Sequence, residues 1–332
     1  MRAGAPDRSN LTRGYALALA AAAILSTTAI FIRYLTATYA IPALVLALWR
    51  DLFVCLTLVP VLAAARPELL RVRRRDLAYL ALFGLMLATF NATWTLSVAA
   101  NGAAAATVLV YCSGAFTALL GRWLLRERLG WGKAVAVALS LSGCALVSGA
   151  LDATAWRANA TGIATGVLSG LCYAGYTLMG RAASHRGLNP WTTVLAAFAF
   201  ASLFLLAANL VPGGLAPGAA ARPADLLWLG RAWRGWAVLF ALAAGPTVAG
   251  FGLYNVSLTH LPSSVVNLVV SLEPILTAAT AYALFSERLT ATQLAGGALV
   301  LGAVALLRVT EGWLESRSVP GPAAQPAPAG AD

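Results

Sequence analysis

Residues 269–289 read VVSLEPILTAATAYALFSERL. Almost every side chain in the stretch is apolar or small, yet Glu273 and Pro274 sit side by side inside it. An ionised group at the centre of a membrane helix costs about 2.5–3.5 kcal/mol on insertion scales. An interior proline removes a helical hydrogen bond. Whether the stretch lies in a bilayer is settled by the rest of the chain. Of its 332 residues, 60% are hydrophobic and 11% charged, whereas a soluble domain is about one quarter charged. The apolar residues fall into runs of about 20, which at ~1.5 Å rise per residue match a ~30 Å hydrocarbon core. The alternation of a membrane barrel is absent. The fold class expected is an all-α membrane protein.

Ten spans are expected, at 14–36, 41–65, 77–100, 103–125, 131–151, 160–183, 190–211, 236–259, 263–285 and 290–310. The first continues through Phe31 and Ile32, too long for the apolar core of a cleaved signal. The tail 318–332, SVPGPAAQPAPAGAD, has a disordered composition. With the N-terminus inside, sixteen Lys and Arg residues fall in cytoplasmic segments and six outside, with Arg50 inside a span. The bias predicts both termini in the cytoplasm and explains the net charge of +11 without nucleic acid. The partners expected are the lipid bilayer and a small-molecule substrate.

The end of the opening stretch repeats. A shift of 160 residues places LLRERL (124–129) on LFSERL (284–289), Thr117-Ala118 on Thr277-Ala278, and Ser97 on Ser257. A shift of 148 places Arg33 on Arg181, Gly14 on Gly162 and Pro42 on Pro190. Two units follow, 14–151 and 160–310, with five spans each. An odd number of spans makes the second unit enter from the opposite side. The repeats are then inverted, an arrangement of secondary transporters whose binding site lies near the midplane between the halves.

The paired ERL elements, the arginine of LALWRD (46–51) and the LEP of 272–274 resemble the EamA family of drug/metabolite transporters over residues 14–310. Within it the chain is most similar to YddG-type exporters of amino acids and related metabolites. The resemblance implies ten helices in two inverted five-helix repeats. It also implies export of small organic solutes across the inner membrane and peripheral fifth and tenth spans able to support a homodimer; a monomer is equally compatible. One departure is that Ser113-Gly114 stands where the second half has Glu273-Pro274.

Charges at membrane depth are the first functional candidates. Glu273 lies roughly 15 Å into its span, and Arg50 of the second span lies at similar depth beside Asp51. Three roles are open for Glu273: a structural pair with Arg50 or backbone amides, a coupling proton site, or a contact to a substrate ammonium. Arg50 is either a structural charge or the partner of a substrate carboxylate. Pro274 frees the carbonyl of Val270, and Pro246 that of Leu242; each predicts a kink or hinge whose carbonyl neighbouring polar groups repair. Asn91, Trp94 and Ser97 share a helix face. So do Thr107 and Tyr111, with repeat counterparts Asn267 and Ser271. Tyr173 and Tyr176 lie on the sixth span, and Tyr254 beside Asn255 corresponds to Trp94. Together they predict the lining of a cavity, with interhelical bonding as the alternative. Small residues every four positions, Gly162, Gly166, Gly170 and Ala174, and likewise Ala134, Ala138 and Ser142, predict close helix packing.

Enzyme chemistry has little support. LGWGKA (129–134) carries Ala134 where a P-loop needs Ser or Thr. YCSGAF (111–116) resembles a rhomboid serine motif, but Tyr111 takes the glycine position. That leaves an intramembrane serine hydrolase at Ser113, or export of cationic drugs, as alternatives. No catalytic residue, metal site or cofactor is expected.

Overall fold

The computed structural model describes residues 8–124, 130–148, 153–211, 216–257, 260–261, 266, 269–270 and 272–318. Of the expected tail 318–332 only Ser318 is described; the rest, the first-half RERL and the candidates Asn267 and Ser271 lie outside the described residues.

Apolar runs fold as helices because a bilayer leaves the backbone no other partner. They are α1 (Arg8–Tyr39), α2 (Ala43–Ala65), α3 (Leu77–Asn101), α4 (Ala103–Tyr111), α5 (Ser113–Leu124), α6 (Trp131–Ser148), α7 (Ala153–His185), α8 (Pro190–Leu210), α9 (Trp233–Leu242), α10 (Phe251–Ser257), α11 (Glu273–Phe285) and α12 (Ala291–Ser318). Among the described residues, seven segments are long and apolar enough to cross a membrane. They include Ala103–Trp123, which joins α4 to α5, and Trp233–Ser257, which joins α9 to α10 through a π-helix at Ala243–Gly250. Trp131–Val147 and Ala291–Leu306 are shorter apolar helices. Local signals set several ends. Asn189 caps α8 through its side chain, with Pro190 at the first helical position. α7 bends at Asn159, whose φ of −147° is not helical. Its side chain accepts the Gly162 amide there, as an N-cap does.

The core is built around α4, where every residue from Ala103 to Val110 is buried. α4 packs among α1, α3, α6, α7, α11 and α12. The glycines of α7 admit it: a Cβ at Gly166 would stand 2.5 Å from Leu109 and one at Gly170 3.3 Å from the Leu109 carbonyl oxygen. The second expected ladder behaves differently. Ala138 and Ser142 are exposed, and the close approach of α6 to α12 uses the opposite face. There Ala136 packs with Ala303, and Gly143 lies against Gly296. Ala136 and Gly296 are repeat equivalents at a shift of 160, as are Gly143 and Ala303. The two contacts therefore exchange when the halves exchange, and the two helices run antiparallel.

The opening stretch is not one continuous helix. α11 begins at Glu273, so Pro274 occupies its first turn, where the missing N–H costs α11 itself no bond, while the Val270 carbonyl four residues back receives no N–H from it. The expectation of a kink at Pro274 inside a helix is corrected to a helix start. The first half breaks at the equivalent place without a proline. α4 ends at Tyr111, Cys112 forms a turn, and α5 starts at Ser113. The break belongs to both halves, and the acid and proline only to the second.

Candidate functional site

Arg50 and Asp51, neighbours on α2, pair with each other where α2 packs against α3. Both are buried, and Arg50 Nε lies 3.4 Å from Asp51 Oδ1. Asn91 of α3 donates from Nδ2 to both Asp51 oxygens, at 2.8 Å each. Two donor groups, making three contacts, thus hold a carboxylate that would be prohibitively costly alone in hydrocarbon. The Arg50 guanidinium stands 5.8 Å from the centre of the Trp94 ring. Trp94 is 6% exposed, and its indole Nε1 has no hydrogen-bond partner among the described residues. A buried N–H without an acceptor is uncommon. Beside it runs an aromatic wall. Phe90 stacks on Trp94 at 6.0 Å, Tyr173 lies 5.1 Å from Phe90, and Tyr176 stacks on Phe83 at 4.6 Å. Of the sequence candidates, Arg50, Asn91, Trp94, Tyr173 and Tyr176 therefore come together. Asp51, noted in the sequence only as a neighbour, is the group that organises them.

Glu273 does not pair with Arg50. Tyr111 of α4 donates to its Oε2 at 2.9 Å. The Tyr111 hydroxyl also lies 3.3 Å from the Val270 carbonyl oxygen, the acceptor that Pro274 deprives of its helical donor. Pro246 is repaired in parallel. The chain widens into the π-helix around it, and Thr247 Oγ1 donates to the Leu242 carbonyl at 3.1 Å. Thr277 Oγ1, one turn beyond Glu273, bonds the Ser26 carbonyl midway along α1. This places the Tyr111–Glu273 pair near the midpoint of α1 along the bundle.

Two candidates leave the set. Thr107 turns back to its own helix and donates to the Ala103 carbonyl. Asn255 is exposed and donates to the Phe251 carbonyl, so it lines no shared face with the others. Both satisfy themselves locally, as helix-borne hydroxyl and amide groups do. Tyr254 is half-buried beside Val269 and Val270, apart from the Arg50 group. No histidine or carboxylate bonds Ser113 among the described residues.

The EamA-like transporter family matches this chain twice, over residues 12–149 and 160–309. The chain belongs to the EamA-like transporter family. It is also 28% identical, over 66% of its length and 74% of the other protein, to an uncharacterized transporter of Archaeoglobus fulgidus. A solved protein crystal structure shares the fold at 17% identity, with a TM-score of 0.56 over 91% of this chain and 98% of that one. The protein is a multi-pass membrane transporter.

The two EamA-like units are stapled at one end of the bundle by residues whose pairing the sequence did not predict. Glu287, of the second-half SERL, accepts from Arg33 Nε at 2.8 Å. Its other oxygen accepts the amides of Ala103 at 3.0 Å and Ala104 at 3.4 Å, the first turn of α4. A carboxylate is favoured at a helix N-terminus by the free amides and the dipole. Arg33 Nη1 reaches the Ala99 carbonyl at 3.3 Å. A cavity of about 250 Å³ lies alongside, lined by Asn101, Gly102, Arg288 and Gln293 among others. Gly102 is required twice. Its φ of 82° and ψ of 168° are open to glycine almost alone. A Cβ there would stand 2.7 Å from the Glu287 oxygens. Gly102→Ala is expected to lower stability by about 1–3 kcal/mol through backbone strain. Thermal unfolding of the purified variant measures it. Wild-type stability would mean that the Glu287 staple does not form.

Proposed function

We propose that the chain is a secondary transporter that moves small organic solutes, neutral or aromatic amino acids and related metabolites, by alternating access around a mid-membrane site. The observation that carries the reading is the Arg50–Trp94 pair. A guanidinium engaged through Nε alone among the described residues, next to a buried indole N–H without an acceptor, offers donors for a carboxylate. The Phe90–Tyr173 wall beside it suits an apolar or aromatic side chain. Tyr111 and Glu273 lie at similar depth and supply an acid for a substrate ammonium or a coupling proton.

The architecture supports rocking of two halves. α4 runs antiparallel to α11, with Ala103 against Glu287 and Tyr111 against Glu273. The exchange of Ala136–Ala303 with Gly143–Gly296 supports ten spans in two inverted repeats. Both helix breaks fall at midplane depth, where transporters of this architecture place their sites. The Lys and Arg bias supports both termini in the cytoplasm, and the resemblance to YddG-type exporters supports export across an inner membrane. A homodimer through the exposed Ala138–Ser142 face of α6 is compatible with this reading, as is a monomer.

The test is flux in proteoliposomes offered labelled amino acids, nucleosides and cationic drugs. Uptake of amino acids in preference to the others is expected. Preference for cations would favour the drug-export alternative, with Glu273 as its recognition group. No flux of any solute would remove the transport reading of this site.

A further inference from the structure

We propose that Tyr111 is the positioning residue that converts the protonation state of Glu273 into the closure of the broken helix at Val270. The Tyr111 hydroxyl carries one proton, and two acceptors compete for it among the described residues, Glu273 Oε2 at 2.9 Å and the Val270 carbonyl at 3.3 Å. Pro274 has no N–H, so the Val270 carbonyl depends on a side chain for its donor. An ionised Glu273 accepts only. It takes the Tyr111 proton, and the carbonyl goes without it. When Glu273 gains a proton from water, its own O–H donates to Tyr111 Oη. The Tyr111 proton then swings to the Val270 carbonyl and closes the turn ahead of α11. No covalent bond is made or broken except at the Glu273 carboxyl, which gains the proton.

The pair spans the two halves, since Tyr111 ends α4 and Glu273 begins α11. The relay therefore ties proton occupancy to how one half grips the other. Few other charges compete. Among the described residues, α1 carries Arg33, already bonded to Glu287, and Arg13, Tyr15, Tyr34 and Tyr39 towards its ends. α10 presents Tyr254, which packs on the same Ala18–Leu261–Val266 cluster as Val270. α11 has Tyr282 on its exposed side. The part of α12 up to Leu306 has no charged side chain. The proposal rests on the transporter reading only in its last measurement.

Three measurements on the full chain in lipid test it. Infrared difference spectra on acidification should show a protonated-carboxyl band that Glu273→Gln lacks. In Tyr111→Phe that band should move to higher frequency, because the acid proton has lost its acceptor. Amide hydrogen exchange over 272–278, corrected for the intrinsic effect of pH, should slow roughly two- to tenfold on acidification, the worth of one hydrogen bond. Glu273→Gln and Tyr111→Phe should each abolish that response. Solute flux, once a substrate is in hand, should lose its pH profile in Tyr111→Phe while retaining substrate affinity. An unmoved carboxyl band, or an exchange response that survives either substitution, overturns the relay. Because the first two measurements need no substrate, their outcome is independent of whether the chain transports.

Discussion

Asp51→Ala is expected to destabilise the protein by about 3–5 kcal/mol, the cost of stranding one member of a buried ion pair. Asp51 is fully buried, Arg50 is 3% exposed, and Asn91 is 2% exposed. Removing the carboxylate leaves the Arg50 guanidinium without a counter-charge and the Asn91 amide without its two acceptors. Neither group can turn to water from that position. The companion experiment replaces both charges at once. Arg50→Met with Asp51→Leu should recover most of the lost stability, since a packed apolar pair often equals or exceeds a buried ion pair. It should not recover transport, because the donors for the substrate carboxylate are gone. Thermal unfolding and flux on the same preparations separate the two effects. A double variant that transports normally would make Arg50 a structural charge only.

The second large effect is expected at the α6–α12 contact. A Cβ at Gly143 would stand 2.5 Å from the Gly296 carbonyl oxygen, and one at Gly296 would stand 2.7 Å from the Gly143 carbonyl oxygen. Both obstacles are backbone, so no side chain can swing aside. Gly143→Val should cost about 1–3 kcal/mol as overpacking that forces the helices apart. Gly296→Val should cost about the same, as both act at one close approach. The double variant should fall well short of the sum, because the first substitution has already opened the gap the second needs. Full additivity in thermal unfolding would mean that the two glycines do not share a contact.

Several features were legible because they rest on local chemistry. The expected spans at 77–100 and 190–211 coincide with Leu77–Asn101 and Pro190–Leu210, since unbroken apolar runs leave few alternatives. The need for polar groups to repair Val270 and Leu242 followed from two prolines, and Tyr111 and Thr247 answer it. The missing parts depend on tertiary placement. Arg50 and Asp51 are adjacent in sequence, and neighbours on a helix do not normally face each other. Their pairing becomes visible only once Asn91 holds the carboxylate from α3. The Arg33–Glu287–Gly102 staple joins positions 254 residues apart, and no local pattern announces it. The break at Cys112 carries no proline, so in the first half it left no sign comparable to LEP. Asn255 shows the converse: the shift of 160 sets it against Thr95, yet Asn255 is exposed and Thr95 buried, a difference the sequence pattern does not carry.

Binding of a solute carboxylate at the proposed Arg50–Trp94 site is tested most directly by comparing flux of one labelled aromatic amino acid with flux of its carboxamide, in proteoliposomes of wild type and of Arg50→Gln. Wild type should move the acid far better than the amide, and Arg50→Gln should lose the acid preferentially, bringing the two rates together. Equal rates for acid and amide in wild type, or an unchanged preference in Arg50→Gln, would contradict the account.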